Sequence, residues 1–126
     1  MISATQHGLS LFGDVFWIGA LSLMAGSSRW AWGKIPKGLR VPIHWHRDGA
    51  ATLRLGKLVG LTGLVVIAFA IGAYMKIESL SPRLGMDTLI IVFLVRLTAA
   101  PLFAVIHLIQ VRRALITLAG EGQLNP

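Results

Sequence analysis

The chain has no cysteine, which excludes disulfide bridges and thiolate metal sites. It is also poor in charge, because charged residues make up 13% of its 126 residues, about half of the roughly 25% usual in soluble proteins. It shows no paired carboxylates, no phosphate-cradling glycine loop and no serine or cysteine nucleophile placed with a histidine. These deficits argue against a soluble domain and against an enzyme.

Apolar surface is abundant instead: apolar residues form 55% of the chain, and the mean hydropathy is +0.72. Three segments, 9–27, 56–75 and 87–111, approach the about 20 residues that cross a bilayer as a helix. The first has neither a basic leader nor a cleavage site, so we interpret it as a retained span. We predict an all-α polytopic integral membrane protein. It has a single membrane domain (1–126), three transmembrane helices and a basic, interfacial loop at 28–55.

Charge sets the expected orientation. The formal net charge is +7, which in so apolar a chain indicates anionic headgroups and topology rather than nucleic acid. Seven cations between residues 28 and 57 are opposed only by Asp48, and basic loops stay cytoplasmic. We therefore expect a multi-pass protein of the bacterial inner membrane with the N-terminus outside and the C-terminus inside. Trp30, Trp32 and Tyr74 are predicted to be interfacial anchors.

The third span carries polar residues on one face. Arg96, His107 and Gln110 fall within about 80° of one another on a helical projection. An arginine inside a span costs about 2.5–3.5 kcal/mol and normally finds a partner within the bundle. Apart from Asp87, the first residue of the third span, Asp14 is the sole carboxylate within the predicted spans, so we predict an Asp14–Arg96 ion pair. A proton or anion path along the same face is the functional alternative. This helix is also expected to continue past Gln110 and to end at Gly120.

Small residues recur four apart in the second span, at Gly56 and Gly60 and again at Ala68 and Gly72. In lipid, such spacing lets another backbone approach closely. We therefore expect this span to pack tightly against a neighbour.

The loop before the second span combines several unusual residues. Its prolines favour an extended segment up to Trp45, and Asp48-Gly49 predicts a turn in which glycine supplies a positive φ. In an extended segment His44 and His46 share one side and Trp45 faces the other. Two imidazoles are too few for a closed metal site, so we expect neither a metal nor another cofactor.

The same loop resembles that of the SdpI-like bacterial membrane proteins, in which Pro-x-His-aromatic precedes a glycine and a lysine. The matching residues are Pro42, His44, Trp45, Gly49 and Lys57. His46 replaces the family's asparagine, and Ala50-Ala51 and Gly56 also depart from the pattern. The resemblance implies a binding or signalling role, since the family's named member confers immunity to a secreted peptide toxin. It also implies an outward-facing loop; we follow the charge pattern instead.

Three functions follow from these features. The first is binding or signalling through the loop residues Pro42, His44, Trp45, His46, Gly49 and Lys57. The second is an accessory subunit of a larger membrane complex, and the third is a small transporter or channel component. The expected partners are membrane lipids together with other membrane subunits or further copies of the chain.

Overall fold

The computed structural model describes residues 3–125 and contains three long helices joined by a β-hairpin and a short turn. The elements are α1 (Ala4–Lys34), β1 (Arg40–Trp45), β2 (Ala51–Gly56), α2 (Lys57–Ser79) and α3 (Met86–Gly120). Each helix is long and apolar enough to cross a membrane. The predicted fold class is confirmed, and the two-stranded sheet is a small addition to it. Helix α2 runs antiparallel to α1 and α3.

The first and third helices are longer than the predicted spans. Helix α1 begins at Ala4 because the Ser3 hydroxyl accepts a hydrogen bond from the Gln6 amide at 3.1 Å, as an N-cap does. It continues to Lys34, so residues 28–34 of the predicted loop are helical, and it stops before Pro36, which disfavours helix at the preceding residue. Helix α3 continues to Gly120 as expected.

Trp17 fills the centre of the bundle. Its indole Nε1 donates to the Ala68 carbonyl at 3.0 Å, and its ring meets Phe103 edge-on at 5.9 Å. A Cβ added at Gly72 would overlap this indole. The close packing predicted for the second span is therefore present, but at Gly72 the neighbour is an aromatic side chain rather than a backbone.

A second apolar cluster closes the hairpin end of the bundle. Val41 of β1 lies against Gly60, where a Cβ would come within 2.9 Å of the valine. The buried members of this cluster are Ala31, Ile35, Val41, Leu61, Val111, Ala114, Leu115 and Leu118. Because strand β1 shares this core with all three helices, the hairpin belongs to the bundle and is not a free loop.

Candidate functional site

The hairpin closes with the predicted turn. The His46 amide donates to the Ala50 carbonyl at 2.8 Å, and the Gly49 amide donates to the His46 carbonyl at 3.0 Å. Gly49 has a φ of +92°, and the Asp48 carboxylate accepts from the Ala50 amide at 2.9 Å. The strands pair antiparallel, with a register shift on either side of His44. The turn prediction is confirmed, and the segments around it are paired strands.

One side of the hairpin is anchored to the end of α3. Trp45 Nε1 donates to the Thr117 hydroxyl at 3.0 Å, and the Arg113 guanidinium stacks 4.7 Å from the centre of the Trp45 ring. Arg54 forms two 2.9 Å hydrogen bonds with the Glu121 carboxylate. The hairpin thus packs against the part of the chain that extends α3 beyond the predicted span.

Sequence reasoning missed the three residues that hold the hairpin, two in α3 and one directly after it. Arg113, Thr117 and Glu121 are spaced four apart, so they form one polar row on the helix. That row was the available signal. Its partners could not be identified without the register of the hairpin.

The opposite side of the hairpin is exposed. His44, His46, Arg47, Asp48 and Gly49 are all accessible. His44 Nδ1 lies 2.7 Å from the Thr52 hydroxyl. That hydroxyl also donates to the His44 carbonyl at 3.3 Å, so His44 and Thr52 link the two strands on this side. Within residues 3–125, no group of three or more histidine, aspartate or glutamate side chains could hold a metal ion.

The structure separates the predicted loop residues into three sets. Pro42 is buried and Trp45 is half-buried, so both hold the hairpin in place. Lys57 begins α2 and places its ammonium group 4.2 Å over the Trp32 ring. His44, His46 and Gly49 remain at the exposed tip.

The far end of the bundle contains the predicted ion pair. Arg96 Nη2 lies 2.6 Å from one oxygen of Asp14, and Arg96 Nη1 donates to the Ser10 carbonyl at 3.1 Å. The other Asp14 oxygen accepts from Lys76 Nζ at 2.7 Å. The Asp14 carboxylate thus forms ion pairs with two cations, one from α2 and one from α3. Sequence reasoning missed Lys76 because it assigned this residue to the connection after the second span.

Further hydrogen bonds close around this carboxylate. Lys76 Nζ also donates to the Ser10 hydroxyl at 2.7 Å. The Ser10 and Ser79 hydroxyls lie 2.9 Å apart, and the Ser79 hydroxyl donates to the Lys76 carbonyl at 2.7 Å. Gln6 Nε2 donates to the Ser79 and Ser81 carbonyls at 3.0 and 2.8 Å. The result is a hydrogen-bonded network that joins α1 to α2 and, through Arg96, to α3.

His107 lies on the same face of α3 as Arg96, nearer the hairpin. Its Nε2 is 2.7 Å from the Ser28 hydroxyl, which itself donates to the Leu61 carbonyl at 2.5 Å. The Ser28 hydroxyl thus lies between the imidazole of α3 and a backbone carbonyl of α2. Gln110 follows on the same face and is half-buried. The predicted polar face therefore points into the bundle.

The three predicted anchors are exposed. Trp30 and Tyr74 are 62% and 64% accessible, and Trp32 carries the Lys57 ammonium group. Trp32 lies beside the first residue of α2, whereas Tyr74 is near the last turn. At about 1.5 Å per residue these levels are about 26 Å apart, close to the about 30 Å thickness of a hydrocarbon core.

Charge is distributed unevenly between the two ends. Of the twelve lysines and arginines, nine lie at the hairpin end with two of the five carboxylates, Asp48 and Glu121. The other three cations, Lys76, Arg83 and Arg96, are balanced by Asp14, Glu78 and Asp87. The hairpin end thus carries the whole net charge of +7, and the opposite end is neutral.

No protein-family model, curated protein or solved structure matches the chain. The SdpI-like resemblance therefore stays a prediction that depends on the loop residues themselves.

Proposed function

We propose that the chain is a multi-pass protein of a bacterial inner membrane that binds a peptide or protein partner through the exposed side of its β-hairpin. The proposal rests on the difference between the two sides of this hairpin, one of which is bound to the bundle and one of which is exposed. Trp45 is hydrogen-bonded to Thr117 of α3 and Arg54 is paired with Glu121 directly after it. In contrast, His44, His46 and Arg47 are exposed. A segment already fixed on one side loses little conformational freedom when its other side binds.

The exposed side favours an acidic partner. Arg47 is exposed at the tip directly after His46, and Arg40 is exposed at the other end of β1. Asp48, the carboxylate at the tip, already accepts a backbone hydrogen bond. Guanidinium groups bind carboxylates with paired, charge-assisted hydrogen bonds. The SdpI-like resemblance implies binding through this loop. In our proposal Pro42 and Trp45 support the hairpin, and His44, His46 and Arg47 bind the partner.

The charge distribution supports a cytoplasmic hairpin. Positively charged termini and loops are retained on the cytoplasmic side, and here the net charge is confined to the hairpin end. The proposed orientation therefore has the N-terminus outside and the C-terminus inside. A conducting path receives less support, because Arg96 and His107 are 2% and 1% exposed and are packed between helices.

Site-specific photocrosslinking in native membranes tests the proposal. A photoreactive residue at Arg47 should give an adduct of discrete mass, and the same residue at Arg83, exposed at the neutral end, should not. With the photoreactive residue at His46, Arg47→Glu should remove the adduct, whereas Arg83→Glu should not. Equal labelling at both ends, or an adduct that is indifferent to charge at position 47, would contradict hairpin binding.

Purification in mild detergent then separates the two kinds of partner. A stoichiometric protein that remains bound identifies the chain as an accessory subunit. A crosslinked peptide that is absent from the purified protein instead indicates a transient binding or signalling role.

A further inference from the structure

A groove of about 340 Å³ runs between α1 and α2 at the hairpin end, and we name it the α1–α2 groove. Its walls include Ala25, Arg29, Trp32, Leu58, Thr62 and Val65. The small side chains of Ala25 and Thr62 leave space between larger neighbours. The groove is therefore apolar along most of its length and carries an arginine on its wall.

Two cations mark the hairpin end of this groove. Arg29 is exposed, and no carboxylate lies within 4 Å of its guanidinium in residues 3–125. The same holds for Lys57, whose ammonium group is held over the Trp32 ring. Trp32 thus positions an uncompensated cation beside the groove wall that contains Arg29.

Lys57 and Arg29 lie at the level expected for the lipid headgroups at the hairpin end of the bundle. Lys57 begins α2, and the Ser28–Leu61 hydrogen bond places Ser28 about 6 Å deeper and Arg29, the next residue, about 4.5 Å deeper. Long cationic side chains at this depth reach the headgroup layer. From there the groove continues along Thr62 and Val65 toward the bilayer centre.

We propose that the α1–α2 groove is a binding site for an anionic phospholipid. Arg29 and Lys57 would bind the headgroup phosphate, and one acyl chain would lie along Leu58, Thr62 and Val65. Basic pockets between transmembrane helices recognise anionic headgroups in this way. A zwitterionic lipid carries its own cation next to the phosphate and gains less from the two side chains.

A second groove, on the other side of α1, also has a tryptophan, a lysine and an arginine beside it. A groove of about 540 Å³ between α1 and α3 is lined by Trp30 and Arg112, and Lys34 Nζ lies 5.7 Å from the centre of the Trp30 ring. A tryptophan with a lysine over its ring, together with an arginine, therefore stands beside each groove. This repetition supports lipid binding on both sides of α1.

Native mass spectrometry of the full chain tests the site. The protein is titrated with dioleoyl phosphatidylglycerol and with dioleoyl phosphatidylcholine, which share their acyl chains. We expect phosphatidylglycerol to bind at least tenfold more tightly, and Arg29→Gln with Lys57→Gln to bind one phosphatidylglycerol fewer. The matched control, Arg40→Gln with Arg47→Gln, removes two exposed cations from the hairpin and should retain every bound lipid.

A second variant tests the groove itself. Ala25→Leu leaves the charge unchanged but fills the groove, and it should also bind one phosphatidylglycerol fewer. Glycerophosphoglycerol, which has the headgroup but no acyl chains, should not compete. Equal binding of the two lipids by the unaltered protein, equal losses in groove and control variants, or full binding by the Ala25→Leu protein would overturn the proposal.

Discussion

Asp14 and Arg96 meet across the α1–α3 interface at 2.6 Å, and Lys76 occupies the second oxygen of the same carboxylate at 2.7 Å. The arginine side chain is 2% exposed. Its positive charge is therefore compensated by the Asp14 carboxylate rather than by water. Removing one partner of a buried ion pair is costly because the other is left uncompensated.

Asp14→Asn should therefore lower the free energy of unfolding by about 3 kcal/mol or more. Lys76→Gln should cost less, because the lysine is about one-third exposed and Arg96 would keep its partner. Unfolding of the purified protein in mixed micelles measures both effects. Glu78→Gln, which removes a carboxylate of the same end that forms no ion pair in the described chain, is the control. Comparable losses in all three variants would contradict a central role for Asp14.

Exchanging the charges of Asp14 and Arg96 should not restore stability, because an arginine at position 14 would face Lys76. Rescue should require a third change, Lys76→Glu, which would give the new arginine a carboxylate. Expression and the unfolding midpoint of the double and triple variants distinguish these outcomes. Full rescue by the double exchange would show that Lys76 does not share the site.

Gly72→Ala should destabilise the bundle by about 1–3 kcal/mol, the usual effect of overpacking a filled core. The added methyl group would occupy space taken by the Trp17 indole. At Gly63 the nearest atom to such a methyl group is 3.9 Å away, so Gly63→Ala should be tolerated. Thermal unfolding in detergent compares the two variants, and a neutral Gly72→Ala would mean that Trp17 does not fill this position.

Ser28→Ala should cost on the order of 1 kcal/mol, a usual value for a hydrogen bond between helices in lipid. The change removes the hydrogen bond between Ser28 and His107 Nε2 and the link to the Leu61 carbonyl. The adjacent Ser27 hydroxyl bonds only within its own helix, to the Met24 carbonyl. Ser27→Ala should therefore be nearly neutral, and equal effects at the two serines would contradict the proposed link.

Trp45→Ala should release the hairpin while the helices stay intact. It removes the hydrogen bond to Thr117 and the stacking surface for Arg113. Hydrogen exchange should then accelerate in residues 40–56, whereas protection of α2 and α3 is retained. Arg40→Ala, which changes an exposed residue of the same strand, is the control and should leave that exchange rate nearly unchanged.

The features that could be predicted from the sequence are those that the bilayer or the local backbone allows in only a few ways. A carboxylate and a guanidinium in apolar spans need partners, so Asp14 and Arg96 could be paired without coordinates. Lys76 could not be added, because hydropathy does not show that α2 continues past Met75. In the hairpin, Asp48-Gly49 identified the turn from local conformation alone. The contact between Trp45 and Thr117 joins residues far apart in the chain, and no local pattern contains it.

Helix α3 touches both ends of this molecule: it supplies Arg96 to the Asp14 carboxylate and Arg113 to the hairpin, about 26 Å apart at about 1.5 Å per residue. Pro101 lies between these two residues and removes one backbone hydrogen bond from the helix, so the two contacts stand on either side of the point at which α3 bends most easily. The position of the hairpin therefore follows the part of α3 after Pro101, while the part before it stays tied to the Asp14 carboxylate.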